Sequence, residues 1–228
     1  MEITKGIEIK DLGLIYKGHL IISDLHIGLE ETLNKQGILI PRFQFKEIKQ
    51  RLEPLLLKKI KTVIINGDLK HEFGTISEQE WRHTLQVLDL LLENNRKVIL
   101  VKGNHDTILG PIADKRNLEI VDKYEFDDIT IIHGNKLIDI KTKVIIIGHE
   151  HPAITIKDEV RTETYKCFLK GKYKNKTLII LPSFSLVSPG HDVLKSNNHT
   201  PYIHNIESFN IYVVEDKIYN FGKVKNLF

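Results

Sequence analysis

Five short runs of branched apolar residues in this 228-residue chain are each followed closely by Asp, Asn or His side chains. These runs are predicted strands at 20–22, 62–65, 97–101, 129–132 and 144–147. Such runs are typical of strands buried on both faces, which need a further layer on each side. Ligands of open α/β sheets bind beyond the carboxyl ends of the strands. The pattern therefore predicts an α/β fold with one site at those ends.

The polar residues after the five runs form the candidate site. They are Asp24 and His26, then Asp68, then Asn104, His105 and Asp106, then His133, and finally His149 and His151. Each group alone is weak evidence, because Asp-x-His and Gly-Asp occur by chance and single histidines are mostly structural. Buried polar groups need partners, so this many beside apolar strands indicates a shared site.

The mixture of ligand types points to metal ions. Carboxylate and amide oxygens suit hard divalent cations, whereas imidazole suits Mn, Fe, Zn or Ni, so a mixed set favours transition metals over a magnesium-only site. One carboxylate can bridge two ions held about 3.5–4 Å apart in two-metal hydrolases. Gly67, Gly103 and Gly148 stand beside the ligands. They are expected to let the backbone turn sharply there.

Two helices are predicted between the strands. Pro41 suits the first turn of a helix, and a helical pattern follows it. A second helix is predicted at 77–94, where Ser77 can cap the start and Glu80 occupies the capping-box position. These helices would supply part of the layers that cover the apolar strands.

Further strands are predicted at both ends of the chain. Residues 7–23 are expected to form a pair of strands joined by a turn at 17–18. Four more are predicted at 165–170, 177–181, 211–215 and 217–221, the last two joined by a turn at 216–217. No repeat or linker divides the sequence, so residues 1–228 are expected to form a single domain.

Composition adds few constraints on function. The net charge of +3 is compatible with a polyanionic partner but is not evidence for one. Four lysines alternate in the sequence, at Lys170, Lys172, Lys174 and Lys176. They either bind anions at a strand edge or protect an exposed edge from pairing with another chain. The single cysteine, Cys167, the lack of a signal-like N-terminus and the lack of a membrane-length apolar run predict a cytoplasmic protein. The abundance of Lys, Glu and Ile is common in proteins from hot environments.

The motif series resembles the calcineurin-like metallophosphoesterase superfamily. In this chain the series consists of Asp-Leu-His at 24–26, Gly-Asp at 67–68, Gly-Asn-His-Asp at 103–106, His133 and Gly-His-Glu-His at 148–151. The resemblance implies a β-sandwich of two mixed sheets flanked by helices, with a dimetal site at the strand ends. Within the superfamily, the chain is similar to the archaeal and bacterial branch related to the SbcD nuclease and the ligase-associated DNA-repair phosphoesterases. This similarity lies in the segments at 40–41, 67–74, 181–184 and 211–214.

The resemblance also implies a role for each residue. One metal ion would be held by Asp24, His26, Asp68 and His151, and the other by Asp68, Asn104, His133 and His149. Manganese is the expected ion at both positions, with Fe, Zn, Ni or Mg as alternatives. His105 would face the phosphate and protonate the leaving oxygen, and Asp106 would hold the His105 ring.

The implied reaction is hydrolysis of a phosphate ester by a hydroxide that bridges two metal ions. The leading interpretation is a phosphodiesterase or nuclease acting on nucleic acid, with single-stranded DNA favoured. One alternative is a small-molecule phosphatase or cyclic-nucleotide phosphodiesterase, and another is a non-catalytic metal-binding scaffold. No membrane partner is expected, and the oligomeric state is left open.

Several other polar residues allow two interpretations. His71, three residues after Asp68, either contacts substrate or caps a turn. Glu30 and Glu31 are predicted to begin a solvated helix, with a substrate or supporting role as the alternative. Residues 188–205 are predicted to be a long surface loop, either a lid over the site or an insertion.

Overall fold

The computed structural model describes residues 1–57, 59–72, 77–107, 109–157, 160–195 and 200–227. Over these residues the chain forms two mixed β-sheets with helices packed on them, which confirms the predicted α/β sandwich. No helix in this part of the chain combines the length and apolar character needed to cross a membrane.

The first sheet brings three of the five predicted strands side by side. In spatial order it contains β1 (Glu2–Thr4), β2 (Ile7–Lys10), β3 (Gly13–Tyr16), β4 (His19–Ile22), β5 (Thr62–Asn66), β6 (Lys97–Val101) and β7 (Glu119–Val121). The first four strands pair antiparallel, whereas β4 to β7 run parallel. Because β4, β5 and β6 are parallel, their carboxyl ends meet at one edge of the sheet.

The second sheet contributes the other two strands. It contains β8 (Tyr124–Phe126), β9 (Ile129–Ile132), β10 (Val144–Ile147), β11 (Pro152–Lys157), β12 (Thr162–Tyr173), β13 (Lys176–Ile180), β14 (His191–Asp192), β15 (Asn210–Val214) and β16 (Ile218–Lys223). Their order is β14-β11-β12-β13-β10-β9-β8, and β15 joins β12 to β16. β9, β10 and β13 are parallel, so β9 and β10 also deliver their carboxyl ends to one place.

The helices described are α1 (Leu29–Lys35), α2 (Gln44–Leu56), α3 (Glu78–Leu92) and α4 (Gly110–Asp114), with 3-10 turns at Glu93–Asn95, Ile206–Ser208 and Val224–Asn226. α3 begins as predicted, because the Ser77 side chain accepts a hydrogen bond from the Glu80 backbone N–H at 3.1 Å. α2 begins later than predicted, three residues after Pro41. The buried Glu30 carboxylate accepts from the N–H groups of Phe43 and Gln44, both at 2.9 Å, and so caps α2. The prediction that Glu30 is solvated is therefore wrong.

The main hydrophobic core joins the two sheets to the helices. Ile21, Ile64 and Ile99 of the first sheet are fully buried in it, together with Leu52 of α2 and Leu88 of α3. Burial of one such side chain stabilises the fold by about 1.5–3 kcal/mol. A second core lies on the other face of the second sheet and includes the buried Cys167 and Tyr202. Every strand that carries a candidate ligand is therefore packed on both faces.

The opening segment differs from its prediction. Residues 7–23 contain three strands, because the chain turns at Asp11 as well as at the predicted Lys17–Gly18 position. Asp11 has a left-handed φ of 48°, a conformation that Asp tolerates better than most residues. An apolar run alone does not show where such a short turn interrupts it.

Two of the four alternating lysines do not form a strand edge. β12 pairs with β13 and β15, and the Lys170 and Lys176 ammonium groups donate to the backbone carbonyls of Ile3 and Thr142, each at 2.6 Å. Both interpretations are therefore wrong for Lys170 and Lys176, whereas they stay open for the exposed Lys172 and Lys174.

The segment at 188–205 is not a simple surface loop. Its described residues include β14, which pairs with β11, and the fully buried Tyr202, whereas residues 196–199 lie outside the described part of the chain.

Candidate metal centre

Five of the predicted ligand residues adopt an unusual backbone conformation after the strand ends. Left-handed φ values of 45–68° occur at Asp24, His26, Asp68, His149 and His151. This region is uncommon for residues other than glycine, and such strain concentrates at functional sites. The turns aim the side chains from both sheets into one cleft.

A first cluster consists of Asp24, His26 and His151. Their ligand atoms lie within 4.8 Å of one another. Nε2 of His151 is 3.2 Å from Nε2 of His26 and 3.1 Å from Oδ1 of Asp24. Asp24 is fully buried and His26 is 4% exposed, so these groups are shielded from bulk water.

A second cluster consists of Asp68, His133 and His149, again with ligand atoms within 4.8 Å. Nε2 of His133 lies 3.4 Å from Oδ2 of Asp68, 3.2 Å from Nδ1 of His149 and 2.9 Å from Oδ1 of Asn104. Oδ2 of Asp68 is also 3.8 Å from Nε2 of His26. Asp68 thus belongs to the second cluster and also approaches the first, where a bridging ligand would lie.

These two clusters have the donor atoms and the unsatisfied polarity that metal ions require. Two pairs of imidazole nitrogens face each other at 3.2 Å, which needs a proton or a cation between them. The buried Oδ1 of Asp24 makes no well-aligned hydrogen bond in the described structure, although His151 is near. A mixed nitrogen and oxygen set of this kind fits two transition-metal ions.

Charges within the site determine its protonation. Burial opposes the charged form of His133, but the carboxylates of Asp68 and Asp24 outweigh it and raise the pKa of His133 to about 9. Burial likewise opposes ionisation of Asp24, and the nearby imidazoles hold the pKa of its carboxyl below the usual range. A cation held by these residues would take the place of a proton on His133.

His105 lies outside these two clusters, although its ring forms a third group with those of His26 and His71 that has metal-ligand spacing. Its Nδ1 is 2.7 Å from the backbone carbonyl of His71, and its Nε2 is 4.0 Å from Oδ2 of Asp68. A carbonyl only accepts hydrogen bonds, so Nδ1 carries a proton and Nε2 faces the site. The side chain is 18% exposed, and a substrate can reach it.

Asp106 has a different contact from the one expected. Its carboxylate accepts from the backbone N–H groups of Leu69 at 3.2 Å and Gly103 at 3.0 Å. The carbonyl of His71, not Asp106, binds the ring of His105. Burial, reinforced by the charge of Asp68, raises the pKa of Asp106 to about 6. Asp106 therefore fixes the two loops after β5 and β6, and its expected role as ring partner is corrected.

Comparison with known proteins agrees with this geometry. Residues 20–223 match the model of the calcineurin-like phosphoesterase family. The chain belongs to that family. It is 23% identical over 226 residues to the DNA polymerase II small subunit of Methanocaldococcus jannaschii, covering 84% of this chain and 36% of that protein. It is 25% identical over 161 residues to the Archaeoglobus fulgidus protein of the same name, covering 58% of this chain and 33% of that protein. The chain thus spans about a third of the length of these curated relatives.

A solved structure shares the fold. The nuclease MPE of Pseudomonas putida superposes with a TM-score of 0.64 at 19% identity, covering 92% of each chain. The superfamily resemblance inferred from the motifs is confirmed. Members of this phosphoesterase family use divalent metals, and the two Asp/His clusters are where this chain could hold them.

The glycines of the family motifs serve two different purposes. Gly67 has a left-handed φ of 82°, as a sharp turn requires. All three are also needed for close approach, since a Cβ at Gly67 would overlap Nδ1 of His133. A Cβ at Gly103 would overlap Oδ1 of Asp68, and one at Gly148 would overlap the Ser23 hydroxyl and lie 2.5 Å from Oδ2 of Asp24.

Gly148→Ala is therefore expected to displace Asp24 and weaken metal binding without unfolding the protein. The loss should be on the order of 10–100-fold in metal affinity, the usual effect of disturbing groups that orient ligands. Titration with Mn²⁺ monitored by calorimetry measures it. Gly110→Ala is the control, because a Cβ there meets no atom within 4 Å. Unchanged affinity in Gly148→Ala would contradict the assignment of Asp24 as a ligand.

Sequence analysis missed one residue that supports the site. Gln44, at the start of α2, is buried, and its Nε2 donates to the carbonyl of His26 at 2.8 Å while its Oε1 accepts from Gly28 N–H at 3.1 Å. It holds the loop that carries the first ligands. A polar residue at a helix start gives no signal of this in the sequence.

His71 lies at the site, as one of its two interpretations requires. Its ring is stacked on that of His105, with centroids 5.3 Å apart, and it lies edge-on to His26 at 5.5 Å. Burial and the adjacent His105 lower the pKa of His71.

Proposed function

We propose that this protein hydrolyses phosphate esters with two divalent metal ions, and that its substrates are phosphodiesters of nucleic acid. The observation that carries the proposal is the pair of Asp/His clusters on either side of Asp68, with an accessible imidazole, His105, beside them. Two such sites sharing one carboxylate are the arrangement used by two-metal hydrolases.

The proposed ligands follow the two clusters. Asp24, His26, Asp68 and His151 would hold one ion, and Asp68, Asn104, His133 and His149 the other. When bound, the two ions would activate water near neutral pH and offset the negative charge of the phosphate. Manganese is the proposed native ion, since it accepts both imidazole and carboxylate ligands.

His105 is proposed as the general acid. Its Nδ1 keeps its proton on the His71 carbonyl, so the ring would act as an imidazolium that gives the second proton, on Nε2, to the leaving oxygen. Its backbone N–H donates to Oδ1 of Asp68 at 2.9 Å, so the acid and the proposed bridging ligand are held together. General acid catalysis of this type contributes about 10²–10⁴-fold.

The nucleic-acid part of the proposal is motivated by the named relatives. Two are subunits of a DNA polymerase, and the solved structure with the same fold is called a nuclease. A small-molecule phosphatase or cyclic-nucleotide phosphodiesterase would use the same metals and the same acid. A scaffold that binds metal without turnover is the third alternative, and the accessible His105 argues against it.

We expect diesters to be preferred over monoesters, with nuclease activity strongest on single-stranded DNA. A single strand bends into a recessed site easily, whereas a duplex must be distorted at a cost of a few kcal/mol. The comparison is kcat/KM for a bis-aryl phosphate against the mono-aryl ester, beside cleavage of single- and double-stranded DNA. Asp68→Asn serves as the control for contaminating nuclease. Monoester preference without metal-dependent DNA cleavage would favour the phosphatase alternative.

A further inference from the structure

Lys70 is a fully buried lysine two residues after Asp68. A buried ammonium group is strongly unfavourable unless it is hydrogen-bonded. Its Nζ donates to the backbone carbonyl of His105 at 3.0 Å and also to that of Glu72. One side chain therefore joins the loop after β5 to the loop after β6.

Glu80 of α3 holds the opposite side of the same loop. It is 1% exposed, and its Oε1 accepts from the N–H groups of His71 at 3.0 Å and Glu72 at 3.1 Å. The carboxylate lies against Gly28, where an added Cβ would be 2.9 Å from the Glu80 Cδ. The loop 70–72 is thus fixed on two sides, since the Lys70 ammonium group binds the Glu72 carbonyl and the Glu80 carboxylate binds two N–H groups of the loop.

The same loop supplies the partner of the proposed acid. Nδ1 of His105 is bound to the carbonyl of His71 at 2.7 Å, while the carbonyl of His105 is bound by Lys70. Lys70 therefore ties together the two backbone segments that carry the donor and the acceptor of this hydrogen bond. Moving either segment by about 1 Å would stretch a bond of 2.7 Å beyond the normal range.

We propose that Lys70, supported by Glu80, is a positioning residue that fixes the ring orientation and the tautomer of His105. Lys70 itself does not touch substrate in this scheme. The inference deepens the proposed function and rests on it for its catalytic consequence, but the tautomer of His105 can be observed without turnover.

The direct test is the tautomer in the metal-free protein. Long-range 1H–15N spectra of protein labelled with 15N-histidine report which ring nitrogen of a neutral imidazole carries the proton, and His105→Ala identifies the signal. Wild type is expected to show His105 protonated at Nδ1, because that atom faces a carbonyl. Lys70→Met is expected to shift the His105 nitrogens toward the average of both tautomers. An unchanged spectrum would overturn the proposal.

Turnover provides the second measurement. Lys70→Met is expected to retain both metal ions and to lose on the order of 10–100-fold in kcat on an alkyl phosphodiester, the usual effect of removing a supporting hydrogen-bond partner. The loss should be much smaller on a nitrophenyl ester, whose leaving group needs no proton. Lys49→Met is the control, because Lys49 is an exposed lysine of α2. Equal losses on both esters, or loss of metal, would show a merely structural role.

The double variant separates the inference from the proposed function. If Lys70 acts through His105, Lys70→Met adds little to the loss caused by His105→Ala, because residues that act as a unit are not additive. If the loss of rate in the double variant equals the product of the two single losses, the inference is overturned. If His105→Ala itself leaves the rate unchanged, the general-acid part of the proposed function fails. If His105→Ala is impaired and Lys70→Met is not, only the role of Lys70 is wrong.

Glu80→Gln is a second variant in case Lys70→Met does not fold. It is nearly isosteric and retains an oxygen that can accept from His71 and Glu72, but it lacks the charge. We expect a smaller loss than for Lys70→Met with the same dependence on leaving group, together with a partial shift of the His105 nitrogens. An unaltered His105 spectrum and unaltered rates in this variant would contradict the proposed positioning of His105 by Lys70 and Glu80.

Discussion

Asp68→Asn is expected to abolish most activity and to lower the bound metal from two ions per chain to one or fewer. The carboxylate lies 3.4 Å from His133 and 3.8 Å from His26, so its charge acts on both clusters. Two-metal sites supply several kcal/mol of transition-state stabilisation, and each 1.36 kcal/mol is tenfold in rate. Loss of one ion should therefore cost on the order of 10³-fold or more in kcat.

The substitution is also the mildest one available at this position. Asn tolerates the left-handed φ of 49° at residue 68, and its oxygen can still accept from the His105 N–H. Elemental analysis and turnover at saturating Mn²⁺ measure the two effects. Asp89→Asn is the matched control, since Asp89 is a half-exposed residue of α3 paired with Arg116. Full activity in Asp68→Asn, or in chelator-treated wild type, would contradict the two-metal proposal.

The parts of the fold that were predicted correctly are those in which local sequence determines the outcome. β9 and β10 occupy the predicted residues, Ile129–Ile132 and Val144–Ile147, because a short run rich in β-branched apolar residues favours a strand buried on both faces. The structure brings the predicted ligand residues together for a related reason. Parallel strands have their carboxyl ends at one edge of the sheet, so the polar side chains that directly follow such strands lie close together at that edge.

The incorrect predictions depend on contacts between distant parts of the chain. Pro41 suggested a helix start, but the cap of α2 is the carboxylate of Glu30, from another helix. Lys170 was read as part of an exposed edge, although it donates to the carbonyl of Ile3 at the far end of the sequence. No local pattern predicts such a partner, because the same side chains would be ordinary on a solvated surface.

The site shows the same division between ligands and their supports. The proposed ligands can be recognised in the sequence as Asp, Asn and His residues beside strands. The side chains that position these ligands contact backbone atoms instead. Gln44 contacts the carbonyl of His26, and Lys70 contacts that of His105. Every residue has these backbone groups, so the sequence does not show which of them need a partner. The partner of the His105 ring was misassigned to Asp106 for this reason.

His105→Ala is expected to retain both metal ions and to lose on the order of 10²–10⁴-fold in kcat on a diester with a poor leaving group. The metal should remain because His105 belongs neither to the cluster of Asp24, His26 and His151 nor to the cluster of Asp68, His133 and His149. Removal of the ring leaves its backbone N–H free to donate to Asp68 as before. Elemental analysis and turnover of an alkyl phosphodiester are the two measurements. His204→Ala, at an exposed histidine stacked on Tyr173, is the control.

The dependence on leaving group distinguishes a general acid from a residue that only binds phosphate. A nitrophenolate departs without a proton, so the His105→Ala deficit should shrink on the nitrophenyl ester, whereas lost phosphate binding would raise KM equally for both substrates. Nε2 of this partly exposed side chain lies 4.0 Å from Asp68, where it would act at the leaving oxygen. Loss of metal from the variant would make His105 a ligand. Equal deficits on both esters would make it a phosphate-binding residue, and either result would remove the general acid from the proposed reaction.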